Sequence, residues 1–312
     1  MSTREPALVT PLVTSIITTA DIDEIELLIL RRVREMTLGD HRSRSQGPGF
    51  DYLGMRDWQA GDRLSTIDWP QSTLTNFSPL VVREFEQPGT ATVLVVADAS
   101  LSTRCGVHGV PIAALVARAI AMLGMSAVFF QDLFGLATFD GAGRRLAAIR
   151  PAIGRNHVMH CLDAYQRHRG LQEVRDSNSL SMTIGSFMRK TALISFVSDF
   201  LFDEPQNVLD ELSLLNAQHD VFIVLIDAAF AFELPHLSAG WVDTVDVETG
   251  RTRTMSRAVL TDMAGRIRAW QDGVADRARK TGLDVVRLGT ESFANDLALA
   301  EFVAARRLRK VA

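Results

Sequence analysis

From Gly89 onward the sequence alternates short segments that are apolar at nearly every position with segments whose apolar residues recur at helical spacing. In order these are "TVLVVAD", "VPIAALVARAIAMLGM", "AVFFQDLFGLATF", a helix around Asn156 to Arg167, "ALISFVSD", "PQNVLDELSLLNA", "DVFIVLID", "WVDTVDVETG", a long helix near Arg257 to Lys280, "LDVVRLGT" and a final helix from about Glu291. A strand with one wet face alternates polar and apolar residues, so strands without a polar face must be covered on both sides. The rhythm therefore predicts an α/β domain built on a doubly wound, mainly parallel sheet. Pro111 falls near the start of its helix, where the missing N–H costs nothing.

Residues 1 to 88 read differently. Ile22, Ile25, Leu27, Leu28, Leu30 and Val33 recur at helical spacing between about Ala20 and Thr37, with Asp21, Asp23 and Glu24 in the first turn, where the helix dipole favours acids. A polar loop, "GDHRSRSQGPGF", follows. Then "DYLGMRDW" and "PLVVREFEQ" read as strands separated by the turn-rich "QAGDRLSTIDWPQSTLTNFS". The expected organisation is thus a small N-terminal helix plus β-rich subdomain over 1–88 and the doubly wound domain over 89–312. At 312 residues and 47% hydrophobic composition the chain can bury a core of that size.

Charge and composition narrow the function classes. A net charge of −4 provides no global field to draw in nucleic acid or an anionic membrane. Two cysteines, Cys105 and Cys161, read as free thiols in a reducing cytoplasm. The apolar patch Ala7 to Ile17 is interrupted by Pro11 and makes a poor signal peptide. Runs elsewhere are broken by Asp or Gly before reaching the roughly 18 apolar residues of a membrane span. A soluble, cytoplasmic chain without a membrane span is expected.

The first strand after Gly89 ends in an aspartate followed by two serines at alternate positions: Asp98, Ser100 and Ser102. In an open parallel sheet, ligands bind outside the carboxyl ends of strands, at the point where strand order reverses. Three alternating oxygens in an extended loop can converge on one point there, and hard oxygen donors suit Mg²⁺ better than Zn²⁺. Another strand, "ALISFVSDF", ends in Asp199, which would supply a second negative charge if the two strands are neighbours. A further oxygen donor is expected from the loop "RDSNSLSMT", with Ser179, Ser181 and Thr183 as candidates.

These residues resemble the metal-ion-dependent adhesion site of von Willebrand factor A domains. Ahead of them, "GPGFDYLGMRDWQAGDRLSTIDW" and "PLVVREFEQ" resemble the signature of domain-of-unknown-function family 58, with "FGLATFDGAGRRLAAIRPAIGRNH" and "DVETG" continuing the likeness from about Gly39 to Arg309. The resemblance implies a von Willebrand factor A-like fold in which Asp98, Ser100, Ser102, Asp199 and Thr183 hold Mg²⁺, with Mn²⁺ or Ca²⁺ as alternatives. An open coordination position would accept a partner's acidic side chain. It further implies a non-enzymatic accessory module that acts with a MoxR-type AAA+ ATPase in maturing or activating a client protein complex. Short members without membrane helices accompany methanol dehydrogenase maturation. Two departures stand out: no glycine precedes Thr183, and Thr73-Leu74-Thr75 replaces the Ala-Arg pair usual after the Asp-Trp.

Other constellations carry competing chemistries. A Mg-dependent phosphohydrolase of haloacid-dehalogenase-like type also starts at a strand-end aspartate, but needs an acid two residues on, where this chain has Ser100. Neither a Gly-x-Ser-x-Gly elbow nor a phosphate-binding Gly-rich loop with Lys and Ser or Thr is present. His157, His160, Cys161 and His168 could form a soft-metal site, though such residues more often make a helix with one core cysteine and exposed histidines. Arg42, Arg44 and the stretch "RRLRK" from Arg306 to Lys310 could bind a polyanion, but lack the interleaved aromatics of base-stacking surfaces. Trp58 and Trp69, near Asp57, Asp62 and Asp68, read either as a subdomain core with a Gly61-Asp62 turn or as a docking face; burial of Trp69 favours the first and exposure the second.

Overall fold

The computed structural model describes residues 16–40, 51–59, 67–86, 90–107, 109–140, 145–174, 179–188, 190–233, 240–245, 251–290 and 292–309. Gly61, Asp62, Arg42, Arg44 and Lys310 lie outside them. In chain order the elements are α1 (Thr19–Asp40), β1 (Asp51–Asp57), α2 (Trp69–Leu74), β2 (Val81–Glu86), β3 (Thr92–Asp98), β4 (Gly106–Val107), β5 (Val110–Pro111), α3 (Ile112–Phe129), β6 (Leu133–Asp140) and β7 (Arg145–Ala152). There follow α4 (Arg155–Arg167), β8 (Gln172–Glu173), α5 (Leu180–Phe187), β9 (Leu193–Ser198), α6 (Pro205–Asn216), β10 (Asp220–Ile226), β11 (Trp241–Val245), β12 (Thr252–Ser256), α7 (Arg257–Lys280), β13 (Asp284–Leu288) and α8 (Ser292–Arg309).

The main sheet has seven strands in the order β13-β10-β9-β3-β6-β7-β8. From β13 to β6 every pairing is parallel, while β7 and β8 add antiparallel strands at one edge. All seven residues of β3 are buried, as its unbroken apolar run requires. Its side chains divide between the two faces: Val93, Val95 and Ala97 pack with α3, α4 and α8, whereas Leu94 and Val96 pack with α5, α6 and α7. From β3 the chain crosses through α3 to β6 on one side, and later returns to place β9 on the other. The loops after β3 and β9 therefore leave adjacent strands in opposite senses, opening a crevice between their carboxyl ends.

Several boundaries differ from the sequence reading, each for a physical reason. Ala127 to Phe129 extend α3 instead of beginning the next strand, and the chain turns at Gln131, whose φ is 58°. The helix α3 is apolar enough and long enough to cross a membrane, despite Gly124, but 78% of it is buried inside the domain. A helix hydrophobic on all sides is at home in such a core. Gly124 permits the close approach of α4, because a Cβ there would meet Val158 Cγ1 at 2.6 Å. The segment Leu180–Phe187 is a helix, not a loop, capped by the Ser179 side chain. "WVDTV" joins β12 in an exposed hairpin outside the main sheet, which is why its burial alternates.

The chain forms two compact units, residues 38–90 and the remainder. The division near residue 90 lies close to the sequence boundary, but α1 belongs with the large unit: Ile22, Ile25 and Ile29 join the core of β3 and α3. A central guanidinium, Arg118, binds the buried Asp296 through Nε at 2.8 and 2.9 Å and lies within 4 Å of Asp21 and Glu24, tying α1, α3 and α8 together. In the small unit, β1 pairs antiparallel with β2, and Asp68 caps α2 by accepting from Gln71 N at 3.3 Å.

Candidate functional site

Asp98 ends β3 at the edge of the crevice and is 2% exposed. Its Oδ1 accepts from the Ser100 backbone N–H at 2.9 Å, a local turn that short acidic side chains favour. The chain then enters a 3-10 turn, Leu101–Arg104, in place of the extended loop expected from the sequence. The turn still brings the hydroxyls of Ser100 and Ser102 together, 3.0 Å apart and half-buried. Thr103 fixes the turn by donating to the Ser100 carbonyl at 2.7 Å.

β9 supplies the other half. Ser198, fully buried, donates to Asp98 Oδ2 at 2.8 Å and accepts from Phe200 N–H at 3.0 Å, so one hydroxyl joins the two strand ends. Asp199 follows at once, also 2% exposed. Its Oδ1 accepts from Leu201 N–H at 2.9 Å, while its buried Oδ2 has no hydrogen-bond partner among the described residues. Two scaffold side chains hold the backbone here. Tyr165 from α4 donates to the Asp98 carbonyl at 2.9 Å, and Gln271 from α7 donates through one nitrogen to the carbonyls of Asp199 and Ile226 at 2.8 and 2.7 Å.

The electrostatics of the pair are unfavourable without a cation. Burial raises Asp98 above the usual carboxylate range, partly offset by its bonds from Ser100 and Ser198, and Asp140 at the end of β6 raises it further. Burial and the neighbouring Asp98 charge push Asp199 up to about 7. Among the described residues, the charged side chains that shift these two groups are carboxylates. A buried anion ordinarily has a counter-charge or takes up a proton. Two buried carboxylates, one unpartnered carboxylate oxygen and a paired set of hydroxyls form a hard oxygen donor set that fits a divalent cation of the Mg²⁺ or Ca²⁺ type. Among the described residues no cluster of three or more His, Cys, Asp or Glu forms a metal site.

The structure thus joins Asp98, Ser100, Ser102 and Asp199, and adds Ser198, Tyr165, Gln271 and Asp140, which the sequence reading missed. Asp140 had a legible signal, since "LATFD" ends in an aspartate as the strands before Asp98, Asp199 and Asp227 do. The expected additional donors are otherwise engaged. Ser179 and Ser181 both donate their hydroxyls to Glu211 of α6, at 2.6 Å for Ser179, and Thr183 donates to the Ser179 carbonyl at 2.9 Å within α5.

The remaining candidates separate clearly. Cys161 is fully buried, its thiol pushed up to about 12 by burial, with His157 Nε2 3.7 Å from Sγ; a thiol so hard to ionise is a poor metal ligand. Cys105 and Cys161 are not joined in a disulfide. Arg306 is no open basic patch: it bonds Asp220 at 2.7 Å, lies 3.0 Å from Asp284 without hydrogen-bond alignment, and stacks over Phe222 and Phe302. In the small unit Trp58 is half-buried, while Trp69, Leu74 and Phe77 are exposed, Trp69 by 54%.

A family model described as "Protein of unknown function DUF58" matches residues 54–276. Uncharacterized proteins of Mycobacterium tuberculosis (strain ATCC 25618 / H37Rv) and Mycobacterium bovis (strain ATCC BAA-935 / AF2122/97) are each 27% identical to this chain, over 92% of it and 92% of the relative. Among solved structures, the crystal structure of the conserved hypothetical protein BatB from Bacteroides thetaiotaomicron aligns with a TM-score of 0.42 at 12% identity, covering 70% of this chain and 99% of that one.

Proposed function

Because the chain belongs to the DUF58 family, we propose that it is a von Willebrand factor A-like, non-enzymatic binding module whose switch-point site holds Mg²⁺ and, through it, an acidic side chain of a partner protein. The observation that carries this reading is the buried pair Asp98 and Asp199, each raised by burial and by a neighbouring carboxylate, beside the paired hydroxyls of Ser100 and Ser102. Asp98, Ser100, Ser102 and Asp199 would hold the ion, directly or through water. When bound, the ion supplies an electrophilic position for an incoming carboxylate. Ser198 keeps Asp98 oriented, and Tyr165 and Gln271 hold the backbone on either side of the crevice.

The partners in this reading are a MoxR-type AAA+ ATPase and a client protein complex in the cytoplasm. Exposure of Trp69 supports a docking face on the small unit, since an exposed indole, with Leu74 and Phe77 also exposed, is apolar surface left for another protein. Against a phosphohydrolase stands Ser100, whose hydroxyl cannot protonate a leaving group near neutral pH.

The test is calorimetric titration of Mg²⁺, Mn²⁺ and Ca²⁺ into the full chain and into an Asp98→Ala, Ser100→Ala variant, followed by capture of the purified cognate ATPase with and without chelator. Saturable binding by the natural chain alone, with release of the ATPase by chelator, is the expected result. No binding by either protein, with a complex that survives chelation, would remove the metal from the mechanism and move the search to Trp69.

A further inference from the structure

The helix α7 has two apolar faces. Leu260, Ala264, Val274 and Ala278 point into the domain and are buried. Val259, Met263, Ile267 and Trp270 recur at i, i+4, i+8 and i+11, so they form a second stripe along the helix. A surface helix ordinarily needs only the first. The second stripe, with Leu201 and Phe202 opposite, lines an open groove of about 520 Å³, and Val259 and Trp270 remain 48% and 42% exposed.

The groove is lined in part by the loop that follows Asp199. Trp270 Nε1 donates to the Phe200 carbonyl at 2.9 Å, and Leu201 N–H donates to Asp199. One end of the stripe is therefore fixed beside Asp199, and from there it runs about 16 Å along α7 to Val259. Charge on the rim is also informative. Asp203, Asp262 and Arg266 make no ion pair among the described residues, and Asp262 and Arg266 stand at the i, i+4 spacing that offsets charge on a helix. Two acids against one base leave the groove one negative charge in excess, which calls for a cation in whatever occupies it.

We propose that this groove receives an amphipathic helix of a partner protein. Its apolar residues, spaced i, i+4 and i+7 or i+8, lie on the stripe; an acidic residue stands at the end beside Asp199; and a Lys or Arg faces Asp203. The acidic end rests on the metal-site reading given above, whereas the stripe and the Asp203 contact stand without it.

The experiment selects a displayed library of random peptides about 16 residues long, enough to span the stripe, against the full chain in Mg²⁺. Enriched peptides are then titrated against Val259→Glu, Met263→Glu, Asp203→Lys and Asp98→Ala variants whose folding is checked by circular dichroism. The expected outcome is the amphipathic pattern above, with affinity falling about tenfold or more on either stripe substitution. Peptides that need the stripe but ignore chelator and Asp98→Ala uphold the groove and overturn the metal reading. Peptides that need metal but bind both stripe variants equally overturn the groove and leave the metal reading intact. Failure to enrich any peptide overturns the proposal, as does a self-associated chain whose mass on light scattering drops in the stripe variants, because the occupant would then be a second copy.

Discussion

Replacing Asp199 by asparagine gives the sharpest reading of the switch-point electrostatics. Without metal, the folded Asp199 carboxyl holds its proton up to about pH 7, against an ordinary value of 3.8. Between those limits the folded state binds more protons than the unfolded chain, so stability falls as pH rises through the window. About three units at 1.36 kcal/mol each place the penalty near 4 kcal/mol by pH 8, and near zero at pH 4. The asparagine side chain has no charge to bury, keeps an oxygen for the Leu201 N–H, and leaves an amide N–H unpaired at a pH-independent cost of about 1 kcal/mol. In chelator, Asp199→Asn should therefore be about as stable as the natural chain near pH 4.5 and more stable by about 3 kcal/mol near pH 8. Urea unfolding of both proteins across pH 4.5 to 8 measures this difference and cancels the titration of unrelated groups. A saturating cation should then reverse the order at pH 8, adding about 4.1 kcal/mol to the natural chain at a thousandfold excess over Kd. If the stability difference stays constant within about 0.5 kcal/mol across that range, the buried-charge argument fails.

Other perturbations separate scaffold from site. Ser198→Ala deletes the one hydroxyl shared by Asp98 and Phe200 N–H; a loss of about 1–3 kcal/mol in urea unfolding is expected, with weaker Mn²⁺ binding by electron paramagnetic resonance. Gln271→Met keeps side-chain length but strips both carbonyls of their donor, so a loss of about 1–3 kcal/mol should accompany a drop in cation affinity, whereas a purely structural role would leave the affinity unchanged. Arg118→Ala leaves Asp296 buried without its partner and should cost about 3–5 kcal/mol, with recovery of most of it in an Arg118→Met, Asp296→Leu double variant. Gly124→Ala forces a methyl onto Val158 and should lower stability by about 1–3 kcal/mol, while leaving cation binding intact.

The fold was legible where a strand is buried on both faces. β3, β9 and β10 announce themselves by runs with no polar face, and the aspartates that close them point to the crevice. The same logic fails at Ala127 to Phe129, because a core helix with no polar side and a core strand look alike over a few residues. It also fails for α5, where Ser179 acts as a cap and reads as loop. Within the site, Asp98, Ser100, Ser102 and Asp199 were visible because they sit on one strand end or repeat its pattern. Ser198 precedes a visible aspartate, but its role depends on β9 lying beside β3, which is a matter of strand order. Tyr165 and Gln271 come from helices on opposite faces of the sheet, and no local spacing encodes that convergence.

The neighbour of β3 on the site side is β9, and the bond from Ser198 to Asp98 spans 100 residues of sequence. During synthesis at about 5–20 residues per second, an interval of roughly 5–20 s separates the emergence of the first strand from that of its partner. Throughout that interval one hydrogen-bonding edge of a fully buried strand has no native mate, while β6, only a short crossover away, can already cover the other. The binding crevice is therefore among the last features the nascent chain can complete. A chaperone or translation-rate requirement for this protein should map to the segment between α3 and β9.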